Sequence, residues 1–205
     1  MKRWMAVGTV GALVGATLLV TGQAGARQKQ QDQVGAVLRD PTGAAVGVVS
    51  FASTGRGTLV TAVLQPNRYV RPGAFHGFHV HANNDPSNGT GCVADPKQPA
   101  STWFVSADAH LAHGGQVHGD HDGDLPSPLV LPDGTAVLSV TTDRFGTADV
   151  AGKAVVLHAM PDNFGNVPMG DAAEAFIPNS QAALDRLLRT GDSGDRVACG
   201  VIRKR

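Results

Sequence analysis

Histidine is concentrated in the middle of this 205-residue chain. All eight histidines lie between His76 and His158, and seven of them lie between His76 and His121. Neutral imidazole is the commonest metal ligand in proteins. Histidines used only for packing would be scattered along the chain, so this clustering predicts a metal site, and more than one metal can be accommodated.

The motif His79-Val-His81 lies in an alternating segment that we predict to be a strand. Residues two apart on a strand point to the same face, so His79 and His81 can bind one metal together. His158 ends the apolar run 154–157 and is a candidate to complete that site. Taken alone, the pair is equally compatible with incidental histidines on a half-buried strand.

A second group of candidate ligands lies on a Gly-rich loop. The segment 118–124 supplies two nitrogens and one carboxylate, from His118, His121 and Asp124. Zinc accepts such mixed sets, usually with four ligands in a tetrahedron, and His110 is a candidate for the fourth. The alternative is a polar loop in which Asp124 only caps a turn.

The elements that must position these residues are mainly short strands. Runs rich in Val and Leu alternate with turns rich in Gly, Asp, Pro and Ser. The predicted strands cover residues 35–38, 45–52, 57–64, 75–81, 136–142, 154–159 and 196–202. Strands at this spacing predict an all-β fold, a Greek-key sandwich or barrel.

Two long segments, 82–132 and 160–195, separate some of these strands and are predicted to be functional loops. Only residues 181–189 have an amphipathic helical pattern, so we expect at most one short helix. No internal repeat is visible in the sequence.

The first 26 residues have the features of a secretory signal peptide: a basic start, an apolar run over 4–20 and a small-x-small site before Arg27. An uncleaved membrane anchor is the alternative, because the run is close to spanning length. Residues 27–33 are polar and predicted to be a flexible linker, which leaves 34–205 as the folded domain. We therefore expect an exported protein that is secreted, periplasmic or associated with the cell envelope.

Export would place Cys92 and Cys199 in an oxidising compartment, where an even pair predicts one disulfide. Two free or metal-bound thiols are the alternative. The formal net charge is zero, so no feature indicates a nucleic-acid partner.

Five motifs occur in the order known from one protein family. They are Gly77-Phe-His79-Val-His81, Ser106-Ala-x-x-His110, His121-x-Gly-Asp124-Leu-Pro, Val156-Leu-His158 followed by Pro161-Asp162, and Gly191-Asp-x-Gly-x-Arg196-Val-Ala-Cys199-Gly-Val-Ile202. Over residues 34–202 the chain resembles the copper/zinc superoxide dismutases, and most of all their exported bacterial forms.

The resemblance implies a β-barrel enzyme that converts superoxide to oxygen and hydrogen peroxide at copper, beside a structural zinc. The implied copper ligands are His79, His81, His110 and His158. The implied zinc ligands are His110, His118, His121 and Asp124. The imidazole of His110 would bridge the two metals and deliver a proton during catalysis.

The resemblance also implies roles outside the two ligand sets. Arg196 would attract and hold the anionic substrate, and Asp162 would link ligands of both metals. Cys92 and Cys199 would form the family's disulfide, and His76 would be a buried structural histidine.

Two departures from the family pattern bear on these roles. Asp108-Ala109 stands where the family usually has two glycines, and the shorter loop after His110 makes His113 an alternative to His118 as zinc ligand. A metal-delivery module and a copper-only enzyme are alternative functions, and the sequence leaves homodimer formation open. The implied partner is superoxide, with no stable membrane association after cleavage of the signal peptide.

Overall fold

The computed structural model describes residues 33–164 and 180–205. The predicted signal peptide and residues 27–32 of the predicted linker lie outside these residues. Within the described ranges, no helix has the length and apolar character needed to cross a membrane.

Strands dominate the described part of the chain. In chain order they are β1 (Gln33–Arg39), β2 (Ala45–Thr54), β3 (Gly57–Leu64), β4 (Ala74–Phe75), β5 (Phe78–His81), β6 (Asp124–Leu125), β7 (Leu129–Val130), β8 (Ala136–Thr142), β9 (Ala154–His158), β10 (Arg196–Val201) and β11 (Arg203–Lys204). Two α-helices accompany them, α1 (Thr147–Val150) and α2 (Gln181–Thr190), together with three short 3-10 helices between β5 and β6, Pro86–Asn88, Ala100–Thr102 and Val105–Ala107. The prediction of an all-β fold is confirmed, and α1 is a short helix in addition to the expected one.

Most of these strands form one curled antiparallel sheet. Its order is β6-β5-β9-β10-β1-β2-β3-β8, with β11 also paired to β1, while β4 and β7 form a separate two-stranded sheet. Strands distant in sequence are therefore neighbours: β5 pairs with β9, and β10 pairs with both β9 and β1. This topology brings the histidine motifs of β5 and β9 side by side.

The predicted strand over 75–81 is divided into two. Phe75 pairs with Leu129 in the small sheet, whereas Phe78 pairs with Leu157 in the large one. The change of partner occurs at Gly77, where an added Cβ would lie 2.6 Å from the Cβ of Ser193. Only glycine leaves room for the side chains of Ser193 and Asp162 to lie this close to the backbone.

The interior of the curled sheet is filled by the apolar residues of alternating strands. In β3 every second residue is buried, and Leu38, Val49 and Phe51 on the neighbouring strands are fully enclosed. Burying a side chain of this size contributes about 1.5–3 kcal/mol. The apolar residues therefore alternate along the strand because every second side chain faces the interior and gains this burial energy.

A smaller hydrophobic cluster holds the long segment after β5 against the sheet. Trp103 and Phe104 pack with Ala154 and Val156 of β9, and Cys199 of β10 belongs to the same cluster. Cys92 and Cys199 are joined by a disulfide bond, as predicted. The segment between β5 and β6 is therefore fixed by apolar packing and by a covalent bond.

Candidate metal centre

Four buried histidines meet where β5 and β9 lie side by side. His79 and His81 come from β5 and His158 ends β9, while His110 reaches them from the segment after β5 through an isolated bridge between His81 and His110. One potential ligand atom from each of the four lies within 4.8 Å of the others. All four residues are at most 5% exposed.

Hydrogen bonds determine which ring nitrogen of three of these histidines carries the proton. His79 Nε2 lies 2.9 Å from Asp162 Oδ1, His81 Nδ1 lies 2.8 Å from the Asp108 carbonyl, and His158 Nδ1 lies 3.1 Å from the Gly194 carbonyl. Because each partner is an acceptor, the nitrogen facing it must donate. The other nitrogen of each neutral ring, His79 Nδ1 and Nε2 of His81 and His158, is left with a lone pair.

These lone pairs point into one common space. His81 Nε2 and His158 Nε2 are 3.4 Å apart, and two lone pairs at this distance repel unless a cation lies between them. His79 Nδ1 and His110 Nε2 are buried and have no hydrogen-bond partner among the described residues. Buried polar atoms are normally satisfied, so these nitrogens fit a metal ion.

Burial also keeps the rings in the form that binds metal. Burial lowers the pKa of His79 and His81 well below the usual value, and the neighbouring charge of His110 lowers it further. Burial lowers the pKa of His158 to about 3. Neutral imidazole is the ligating form, so the rings are ready to bind metal at physiological pH.

A second group of ligands adjoins the first through His110. His110 Nδ1 lies 2.8 Å from Asp124 Oδ1 and 3.2 Å from His121 Nδ1. His118 Nδ1 lies 3.4 Å from Asp124 Oδ2, and His121 Nδ1 lies 3.4 Å from Asp124 Oδ1. Ligands at the corners of a zinc tetrahedron are separated by about 3.3 Å, given Zn–N distances near 2.0–2.1 Å.

A four-residue set on this side, His79, His110, His118 and Asp124, also has potential ligand atoms within 4.8 Å of one another, and it contains His79 in place of the predicted His121. His79 therefore lies near both groups, but its Nε2 donates to Asp162. Burial alone would raise the pKa of Asp124, yet the hydrogen bonds and charges of His110 and His118 together outweigh burial and hold that pKa well below the usual range. The carboxylate is therefore ionised and can bind a cation.

Asp162 lies between the two groups. It accepts from His79 Nε2 and from Ser127 Oγ at 3.0 Å, and its Oδ1 is 3.7 Å from His118 Nε2. Burial raises the pKa of this carboxyl to about 6. One buried carboxylate thus contacts a histidine of each group, which is the arrangement expected of an outer-shell partner.

The structure places the two alternative histidines of the short loop very differently. The His118 side chain is 1% exposed and faces Asp124 and Asp162, whereas that of His113 is 75% exposed and pairs with Asp122. The backbone of His118 is also fixed, because its N–H donates to the carbonyl of Leu188, in the last turn of α2, at 2.6 Å. His118 therefore has the position of a ligand, and His113 that of a surface residue.

Gly191 explains how α2 can end so close to His118. Its φ is +61°, and a Cβ at this position would lie 2.2 Å from His118 Nε2. Glycine both permits the left-handed turn and leaves space for the imidazole. Phe164 stacks on the same ring, with centroids 5.3 Å apart.

Arg196 begins β10 directly opposite His158 in the sheet register. Its Nη1 donates to the Phe104 carbonyl at 2.6 Å and its Nη2 donates to the Asp108 carbonyl at 2.7 Å. Burial lowers the pKa of Arg196 somewhat, but a guanidinium remains protonated at physiological pH. A fixed positive charge therefore lies beside the four-histidine group.

His76 lies outside both ligand groups. It is fully buried, and its ring nitrogens face the carbonyls of His158 and Arg71, each at 2.9 Å. These contacts tie the chain before β5 to the end of β9. The position agrees with a structural role.

Sequence reasoning did not identify two residues that organise the site. Arg144, after β8, donates to the carbonyls of His121 at 2.9 Å and Gly119 at 3.0 Å. Ser127 donates to Asp162. Neither residue lies in a motif, and their roles depend on approaches between segments that no local pattern encodes.

Comparisons with known proteins agree with this geometry. A sequence model of the family described as copper/zinc superoxide dismutase (SODC) matches residues 45–202. The chain is 37% identical over 172 residues to a Cu-Zn superoxide dismutase of Mycolicibacterium paratuberculosis, covering 80% of this chain and 71% of that protein. A second Cu-Zn superoxide dismutase, from Brassica juncea, is 33% identical over 166 residues, covering 76% of this chain and 88% of that protein.

A search of solved structures gives the same fold. The crystal structure of the clock protein EA4 superposes with a TM-score of 0.60, covering 85% of this chain and 96% of that one. The sequence identity is 24%, so this likeness concerns the fold alone.

Proposed function

The chain belongs to the copper/zinc superoxide dismutase family and is an oxidoreductase acting on superoxide, and on this basis we propose which of its residues bind each metal and the substrate. The observation that carries the proposal is the convergence of neutral imidazole lone pairs in a buried space. His81 Nε2 and His158 Nε2 face each other at 3.4 Å with their protons on the opposite nitrogens.

Copper is assigned to the four-histidine group of His79, His81, His110 and His158. The donor atoms would be His79 Nδ1 and the Nε2 atoms of the other three rings. Four nitrogen donors suit copper, which prefers imidazole to carboxylate surroundings. His79 is assigned here rather than to the second group because its remaining nitrogen already donates to Asp162.

Zinc is assigned to the set of His110, His118, His121 and Asp124. Three imidazoles and one carboxylate are ordinary zinc ligands. His110 would use Nδ1 toward zinc and Nε2 toward copper, so its ring would bridge the two sites. His113 is left out of the set because its side chain is exposed and pairs with Asp122.

The reaction consumes two superoxide ions and two protons and yields one O2 and one H2O2. Bound copper would supply the one-electron redox chemistry, and bound zinc would polarise the shared imidazole without redox chemistry of its own. This chain's contribution would be His110, whose Nε2 serves either as a copper ligand or as the carrier of the transferred proton while its Nδ1 stays on the zinc side. Asp162 keeps the His79 ring oriented by accepting from its Nε2.

Arg196 would receive the substrate. Its charge is fixed beside the copper ligands by two carbonyl oxygens, so an arriving anion meets a guanidinium that needs no rearrangement. Electrostatic attraction of this kind raises association rates and weakens with ionic strength. The zero formal net charge of the chain imposes no long-range repulsion on the anion.

We also propose export as the setting of this activity. The disulfide between Cys92 and Cys199 is compatible with an oxidising compartment. Residues 1–26 carry the pattern of a signal peptide and residues 27–33 that of a linker, with 34–205 as the functional domain. The enzyme would then remove superoxide outside the cytoplasm.

Metal analysis combined with a dismutation assay tests the assignments. The purified protein, loaded with copper and zinc, should bind one equivalent of each and dismutate superoxide only when copper is present. His118→Gln should lose zinc selectively, and His113→Gln, the matched control on the same loop, should retain it. Equal zinc loss in both variants would overturn the zinc assignment, and full metal binding without dismutation would indicate a delivery module.

A further inference from the structure

Asp108 has a backbone conformation that is unusual for any residue with a side chain. Its φ is 65° and its ψ is −160°. This region is essentially reserved for glycine, and another residue persists in it only when its surroundings hold it there. Asp108 also stands where the related family usually has glycine, so the structure must contain something that compensates.

The compensation comes from the aspartate side chain. Asp108 Oδ2 accepts from the backbone N–H groups of Asn84 at 2.5 Å and Asp85 at 2.8 Å. Asp108 Oδ1 accepts from the side-chain amide of Asn88. All three donors belong to one stretch of the segment after β5, so the carboxylate anchors Asp108 to that stretch.

The carbonyl of the same residue faces the metal centre. It accepts from His81 Nδ1 at 2.8 Å and from Arg196 Nη2 at 2.7 Å. The first bond leaves His81 Nε2 unprotonated for metal binding, and the second fixes one side of the guanidinium. One peptide unit therefore orients a proposed copper ligand and the proposed substrate-binding arginine together.

We propose that Asp108 is a positioning residue whose carboxylate, anchored on residues 84–88, holds its own carbonyl against His81 and Arg196. The inference rests on the proposed function for its consequence in catalysis, but the contacts themselves do not involve metal. A glycine would adopt this backbone without strain and without an anchor. This chain instead restrains the peptide through side-chain hydrogen bonds.

The proposal predicts graded effects of three substitutions. Asp108→Ala still has a Cβ, so the observed backbone conformation stays strained, but all three anchoring bonds are lost. The backbone should therefore relax, and the carbonyl should leave its position. Asp108→Gly removes both the strain and the anchor, and its effect should be smaller. Asp108→Asn keeps an oxygen acceptor for the two N–H groups, and a flip of the Asn88 amide lets its oxygen accept from the new NH2 group, so this variant should remain close to the wild type.

Asp133 provides a matched control. Its carboxylate accepts from the N–H of Thr135 at 2.9 Å and from the Thr135 hydroxyl at 2.7 Å, in the turn before β8. Asp133→Ala therefore removes a comparable aspartate anchor from a turn that contacts neither His81 nor Arg196. It should change stability without changing the metal centre.

The measurement is the rate of proton exchange at His81 Nδ1 and Arg196 Nη2, monitored by NMR on the full metal-free chain. Asp108→Ala should accelerate exchange at both sites by about tenfold or more, with Asp108→Asn and Asp133→Ala within about twofold of wild type. In the metal-loaded enzyme, the same Ala variant should bind azide several-fold more weakly. Exchange at both sites unchanged in Asp108→Ala, with only a lower Tm, would overturn the proposal.

Two features keep this test decisive. If Asp108→Ala does not fold, Asp108→Gly removes the same bonds from a relaxed backbone; exchange at both sites should still be faster than in the wild type, and unchanged exchange would overturn the proposal. Because the exchange experiment uses metal-free protein, it can fail while the dismutase assignment stands. It can equally succeed if the chain proves to be a metal-delivery module.

Discussion

Breaking the disulfide between Cys92 and Cys199 should remove a large part of this protein's stability. The bond joins positions separated by 107 residues, from the segment after β5 to β10. Without it, the unfolded chain gains the freedom of a long open loop, whereas the folded state loses few contacts. The effect is therefore expected mainly in the unfolded state.

The magnitude follows from the length of the closed loop. For 107 residues the chain-entropy relation gives about 4.8 kcal/mol at 25 °C. Native proteins are typically stable by about 5–15 kcal/mol, so this is between a third and nearly all of the total. The metal-free protein should therefore be close to unfolding when reduced.

Urea unfolding of the metal-free wild type, with and without a phosphine reductant, measures this loss. Comparing two redox states of one sequence leaves the side chains of the buried cluster around Trp103 and Cys199 unchanged. The midpoint should fall by an amount equivalent to about 3–5 kcal/mol. Cys92→Ala is the control, because reductant should have no further effect on a chain that cannot form the bond.

A reductant-dependent loss of unfolding free energy below about 1 kcal/mol would refute the claim that the bond stabilises the protein by restricting the unfolded chain. It would mean that residual structure already restricts residues 92–199 in the unfolded ensemble, so that the bond removes little entropy. A reductant effect of equal size in Cys92→Ala would trace the loss to something other than the disulfide.

Three further predictions concern the metal centre. Arg196→Ala should keep fold and metal content but lower the dismutation rate about tenfold or more at low ionic strength. The dependence of the rate on salt should nearly vanish. Unchanged salt dependence in stopped-flow assays would contradict the role of Arg196 in attracting the substrate. Asp124→Ala should lower zinc occupancy far more than copper occupancy in elemental analysis, because it removes the only carboxylate of the proposed zinc set, and equal loss of both metals would argue against separate sites. Arg144→Ala removes the hydrogen bonds to the carbonyls of Gly119 and His121, so the free energy of unfolding should fall by about 1–2 kcal/mol and zinc should be lost faster to a chelator. Zinc loss at the wild-type rate would show that the turn keeps its conformation without Arg144.

The strands were predictable because their signal is local. The predicted bounds of β3 and β8 are the observed ones, because a strand buried on one face carries apolar residues at every second position. The break in the strand over 75–81 was not predictable from that pattern. Phe75 and Phe78 are both compatible with a strand, and their separation depends on partners more than 50 residues away in sequence.

The candidate ligands were predictable by type, but their arrangement was not. Clustered histidines indicate metal whatever the fold, and the order of the motifs supplied the resemblance to one family. Counting along the short loop could not separate His113 from His118. The structure separates them because the end of α2 and Gly191 enclose one ring and leave the other in solvent.

By itself, the sequence determined the fold class, the metal-binding character and the pair of cysteines, because periodicity, residue chemistry and residue counts do not depend on long-range geometry. Only the tertiary structure decided which ring nitrogen of His79, His81 and His158 is left without a proton and free to bind a metal. That choice is made by acceptors from distant segments, such as Asp162 for His79 and the Asp108 carbonyl for His81. A hydrogen bond of about 3 Å requires both partners to be fixed in space, and the position of each is set by the packing of the whole sheet.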